Sequence, residues 1–135
     1  MFTVKHNKGM NMQEKLIEKA KLAAQNAYAP YSGFKVGAAL LTKAGKIFTG
    51  CNVENSSYGL TNCAERTAIF KAVSEGETQY EHMVIYVNSD KLFTPCGACR
   101  QVISEFSQDL PITVVSRTET MKTDMKELLP FSFKL

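Results

Sequence analysis

No apolar run in this 135-residue chain approaches the roughly 18 residues needed to cross a membrane. The first stretch, Met1 to Asn11, has no apolar core of the kind a secretory signal carries. There is no basic block either. The lysines are scattered, the formal net charge is only +3, and aromatic residues are not interleaved with them. That pattern argues against a nucleic-acid partner as well as a membrane one. Glycine and proline are not in excess and no segment is of low complexity, so disorder is not expected outside the ends. A cytoplasmic protein is the expectation. In that reducing compartment the four cysteines read as metal ligands or catalytic groups rather than as two disulfides.

What is present suits one folded unit. The 44% of residues that are hydrophobic suffice for a single core, placed over 12–135 behind a flexible leader at 1–11. Asn11 offers a helix N-cap, with Glu14 as its capping-box partner. The helix that follows is expected over 12–28, with Leu16, Ile17, Ala20, Ala23, Ala24 and Ala27 as its apolar stripe. Residues 34–41 and 46–53 read as an antiparallel hairpin turning at Lys43-Ala44-Gly45-Lys46, followed by a polar loop over 52–62. A largely apolar helix is expected from Cys63 to Glu75, stopped by Gly76. A short strand at 83–87 comes next. A helix opened by Pro95, a strand at 111–116 and a last helix at 122–129 complete the series. Strands alternate with helices after Cys63, which argues for some parallel pairing. The fold class is α/β, a mixed sheet covered by helices on both faces.

The chemistry concentrates in two segments. Cys96 and Cys99 form a Cys-x-x-Cys pair at a helix start, a spacing that suits zinc but also a redox dithiol. Cys63 stands at another helix start, where backbone N–H groups favour a thiolate. Three thiolates leave a tetrahedral zinc one ligand short, and Cys51 or His82 can in principle close the site. The open arrangement is preferred because of Glu65. It lies two residues after Cys63, where a carboxylate can stand beside an activated water and move its protons. Arg66 and Arg100 adjoin two of the ligands. Both can donate hydrogen bonds to sulfur and temper the negative charge of the cluster. Cys-x-Glu followed by Pro-Cys-x-x-Cys is the zinc-deaminase signature in its three-cysteine form.

Further stretches carry the likeness across nearly the whole chain after the leader. They are Tyr28-Ala29-Pro30-Tyr31-Ser32-Gly33-Phe34, Cys51-Asn52-Val53-Glu54-Asn55, Cys63-Ala64-Glu65-Arg66, Pro95-Cys96-Gly97-Ala98-Cys99-Arg100 and Leu128-Leu129-Pro130. Together they resemble the small, homotetrameric, three-cysteine cytidine deaminases. The resemblance implies a three-layer α/β/α sandwich with a five-stranded mixed sheet and one zinc per subunit. It implies zinc-dependent hydrolysis of cytidine and deoxycytidine to uridine and deoxyuridine with release of ammonia, in pyrimidine salvage. It makes Cys63, Cys96 and Cys99 the zinc ligands, Glu65 the proton shuttle and Arg66 their hydrogen-bonding neighbour. Asn52 and Glu54 would bind the ribose 3′-hydroxyl, Phe34 would line the pyrimidine pocket, and Ala64 would touch substrate. Ser56, Tyr58 and Phe133 would reach active sites of neighbouring subunits. An Asn and a Glu two apart at a strand end can bind sugar hydroxyls from one side, so their residue types agree. Three competing readings are a deaminase for a nucleoside-like antibiotic, a polynucleotide deaminase, and a module with a closed structural zinc.

Overall fold

Val36–Thr42 (β1) is buried along almost its whole length, and the rest of the fold is laid against it. In this computed structural model residues 9–135 are described, so most of the leader expected at 1–11 lies outside the described residues. Ile47–Cys51 (β2) pairs antiparallel with β1, with Leu40 opposite Phe48. On the other side of β1 runs Tyr80–Val87 (β3), also antiparallel. Pro111–Val115 (β4) is parallel to β3, and Thr120–Asp124 (β5) closes the sheet antiparallel to β4. The strand order is β2-β1-β3-β4-β5.

The two-residue period of the strands sorts the core into two layers. Ala38 and Leu40 of β1, Met83 and Ile85 of β3, and Ile112 and Val114 of β4 face one side. There they meet Ala64–Ser74 (α2), Gly97–Phe106 (α3) and Met125–Leu128 (α4). Ala39, Leu41, Val84 and Val115 face the other side, against Leu16 and Ala20 of Met12–Ala24 (α1). The result is the three-layer α/β/α arrangement expected. No helix among the described residues is long and apolar enough to cross a membrane.

Two glycines let the helices sit this close. A Cβ at Gly37 would stand 1.9 Å from the Ala20 carbonyl oxygen, and one at Gly50 would stand 2.5 Å from the Ala68 nitrogen. Neither distance is tolerable between non-bonded atoms, so α1 and α2 lie directly on bare backbone.

Several expected boundaries move. The α1 helix has the capping box between Asn11 and Glu14 but stops at Ala24, four residues before Tyr28. Tyr28 is pulled away by the next segment: its N–H donates to the Asn52 carbonyl and its own carbonyl accepts from Glu54 N–H. Pro95 does not open α3; it precedes the N-cap, Cys96. The helix expected at 122–129 divides into the edge strand β5 and the single turn α4. Asp124 marks the junction, with its carboxylate capping Glu127 N–H.

Candidate active site

Two helix starts face each other on the same side of the sheet. Cys63 is the N-cap of α2 and Cys96 the N-cap of α3, and neither side chain is spent on capping its helix. Cys99 lies one turn into α3, fully buried. The three sulfurs lie within 4.8 Å of one another, with Cys63 Sγ and Cys96 Sγ at 3.8 Å. A tetrahedral zinc with Zn–S bonds of about 2.3 Å separates its sulfurs by about 3.8 Å, so this donor set fits zinc. The electrostatics also suit a thiolate at Cys63. Hydrogen bonding from Cys99, then from Arg66 and Cys96, brings Cys63 down to about 5. The proton is retained at Cys99, whose pKa rises because it donates to Cys63 and is desolvated.

Among the described residues no fourth Cys or His joins the cluster. Cys51 is the cross-strand partner of Gly37, whose missing side chain would point at α1, so Cys51 faces the α1 layer. His82 is on the same side, hydrogen-bonded to Thr113 Oγ1 at 2.9 Å. The closed four-ligand site is therefore not formed from either.

Glu65 lies in the first turn of α2, only 6% exposed. Desolvation pushes its carboxyl up to about 7, and the neighbouring Cys63 charge adds to the rise. It opens into a cavity of about 330 Å³ whose floor is formed by Cys63, Ala64, Glu65 and Cys96. Phe34, Asn52 and Glu54 stand in the wall, and Ile85 and Val87 of β3 form the back. Sequence reasoning missed Phe93, which lines the same cavity edge-to-face with Phe34 at 5.2 Å between ring centroids. Its position three residues before Cys96 was the available signal. Ser32 and Thr61 also reach the wall.

The remaining expected residues divide. Arg66 places a terminal guanidinium nitrogen 3.5 Å from Cys63 Sγ, while its Nε is buried without a hydrogen-bond partner among the described residues. Arg100 does not reach sulfur. Its guanidinium donates to the carbonyls of Pro95 (2.7 Å) and Leu128 (2.9 Å) and to Thr94 Oγ1 (3.0 Å), pinning the loop that carries Cys96 to the end of α4. Asn52 is largely spent on backbone, its Nδ2 donating to Phe34 O (2.8 Å) and its Oδ1 accepting from Val36 N–H (2.9 Å). Ser56, Tyr58 and Phe133 lie outside this chain's cavity. Ser56 is hydrogen-bonded to the Tyr31 hydroxyl, Tyr58 packs edge-on to Tyr31, and Phe133 is exposed.

Comparison with known proteins agrees with this geometry. A family model described as the cytidine and deoxycytidylate deaminase zinc-binding region matches residues 10–114, which include all three clustered cysteines. A protein of Sporosarcina psychrophila named cytidine deaminase is 48% identical over 122 residues, 89% of this chain and 90% of that one. One of Halalkalibacterium halodurans with the same name is 45% identical over 123 residues, 90% of this chain and 93% of the other. The crystal structure of cytidine deaminase from Burkholderia pseudomallei superposes with a TM-score of 0.85 at 46% identity, covering 92% of this chain and 100% of that one. With this match over most of its length and three cysteine sulfurs converging beside a buried glutamate, the chain belongs to the cytidine and deoxycytidylate deaminase family.

Proposed function

We propose that the protein is a zinc-dependent cytidine deaminase that hydrolyses cytidine and deoxycytidine to uridine and deoxyuridine with release of ammonia. The observation that carries this is the shared floor: a cluster of three sulfurs, two of which (Cys63 and Cys96) open with the buried Glu65 carboxyl into one cavity, has Phe34, Asn52 and Glu54 in the wall above it. Cys63, Cys96 and Cys99 hold the zinc, which supplies Lewis-acid activation of a water molecule. Arg66, beside Cys63, offsets part of the thiolate charge.

Glu65 takes the proton that this water loses and delivers it to N3 of the pyrimidine as the water oxygen bonds to C4. It then carries the second proton to the amino group, whose bond to C4 breaks as ammonia leaves. One buried carboxyl thus acts as base and then as acid. Phe34 packs against the base, Ala64 borders the reacting end, and Asn52 and Glu54 hold the ribose 3′-hydroxyl. Among the described residues no lysine or arginine lines the cavity, so an uncharged nucleoside suits it better than a nucleotide.

The unit that does this is the domain over 12–135, working in the cytoplasm in pyrimidine salvage. It works as a homotetramer in which Ser56, Tyr58 and Phe133 reach a neighbour's site. The exposure of Tyr58 and Phe133 supports that role. The direct test follows the ultraviolet absorbance of cytidine with purified protein. Cytidine is lost, a zinc chelator stops the loss, and added zinc restores it. No chelator-sensitive loss would sink the proposal. Sedimentation of the active protein as four chains tests the assembly.

A further inference from the structure

Ser32 was only part of a motif in the sequence, yet one hydroxyl there joins two walls of the cavity. Its Oγ donates to Glu54 Oε2 and accepts the Phe34 N–H at 3.0 Å. The backbone N–H groups of Tyr31 and Ser32 donate to the other carboxylate oxygen, Oε1, at 2.9 and 3.1 Å. Gly33, at φ 74°, supplies the reversal between Ser32 and Phe34 that an L side chain resists. On its far side the Phe34 carbonyl is held by Asn52.

We propose that Ser32 is a positioning residue whose hydroxyl locks the Glu54 carboxylate to the Phe34 backbone, leaving that carboxylate one acceptor site for a single sugar hydroxyl. A carboxylate offers about four acceptor positions. Two on Oε1 and one on Oε2 are taken within the chain. Among the described residues nothing else takes the fourth, on the oxygen that Ser32 itself orients. A single site cannot serve the 2′- and 3′-hydroxyls together, so Glu54 holds ribo- and 2′-deoxyribonucleosides alike. The direction of the Glu54 shift agrees: the Ser32 hydroxyl is the largest influence holding its carboxyl below the usual range.

The inference rests on Glu54 binding sugar, and the experiment separates the two. Steady-state kinetics compare wild type, S32A, S32T and E54Q on cytidine, 2′-deoxycytidine and 2′,3′-dideoxycytidine. S32A should raise KM about tenfold for the first two, the scale of a lost charge-assisted hydrogen bond, with kcat within about twofold. On dideoxycytidine, which has no hydroxyl for Glu54, the loss in S32A should shrink to about threefold or less, the share that passes through the Phe34 backbone. S32T, which keeps the hydroxyl, should restore KM. Equal losses on all three substrates, or no effect of S32A, overturn the inference. If E54Q is selective for the hydroxylated substrates and S32A is not, only the Ser32 inference fails. If E54Q is unselective, the sugar assignment of Glu54 fails first. Should S32A not fold, S32C carries the test with the same selectivity required.

Discussion

The floor and the wall of the cavity are held by different means. The floor is held by packing. Cys99 and Ala64 are fully buried, and α2 behind them lies on the bare backbone of Gly50. The wall is more open, with Phe34 43% exposed, and is held by hydrogen bonds through Ser32 and Asn52. Chemistry needs a dry site where a carboxyl can keep a proton near neutral pH. Recognition needs an entrance, so residues such as Phe34 stay partly exposed and are fixed by polar contacts instead.

That contrast breaks most sharply at its two glutamates. Glu65→Gln should keep zinc and lower kcat about a thousandfold, the scale of general acid–base catalysis. Glu54→Gln should instead raise KM about tenfold and leave kcat within a few-fold, the mark of lost uniform binding. Near-normal turnover by Glu65→Gln, or a kcat collapse in Glu54→Gln, would dissolve the division. Metal analysis probes the floor alone. Cys99→Ala should bind well under one zinc per chain, whereas Cys51→Ala, on the α1 layer, should keep one.

The packing side of the contrast is sharpened by Gly50→Ala. The added Cβ forces α2 off β2, and overpacking of this kind costs about 1–3 kcal/mol. Urea unfolding measures that cost, and kcat should fall along with stability because α2 carries Cys63 and Glu65. An unchanged midpoint would show that the close contact is slack. The smallest effect lies far from both regions. Burial, then Lys122, pushes His82 below its usual range. The unfolded chain therefore binds the extra proton first as pH falls below about 6.5, and stability drops from there until the folded-state pKa is passed. His82→Gln should flatten this part of the stability–pH curve; an unaltered curve assigns the slope to other groups.

These differences also explain what could be read from the sequence. The floor was legible because Cys63, Glu65, Cys96 and Cys99 are chemically distinctive and lie in two short segments at helix starts. The hairpin and the buried strands were legible from their apolar runs. β5 was not: Thr120-Met121-Lys122-Thr123-Asp124 is a half-exposed edge strand, rich in polar residues as edges are, and it runs straight into a helical turn. The end of α1 was missed because Ala27 continues the helical stripe while Tyr28 is claimed by Asn52 and Glu54, some 24 residues on. Ser32 and Phe93 carry no chemical signature of their own; the fold brings Ser32 to the cavity, and nearness to Cys96 was the one hint for Phe93. The residue type of Asn52 suits a sugar ligand, but it could not reveal that two backbone groups also hold this side chain in the wall.

Arg100 adds a mechanical consequence. By gripping the Leu128 carbonyl and the Pro95 carbonyl with one side chain, it makes the α4 turn a brace for Cys96, a ligand more than 30 residues earlier. Damage behind residue 128, by clipping or by fraying, is therefore transmitted to Cys96 without touching any sulfur. Cys96 is only as steady as the α4 turn that Arg100 grips.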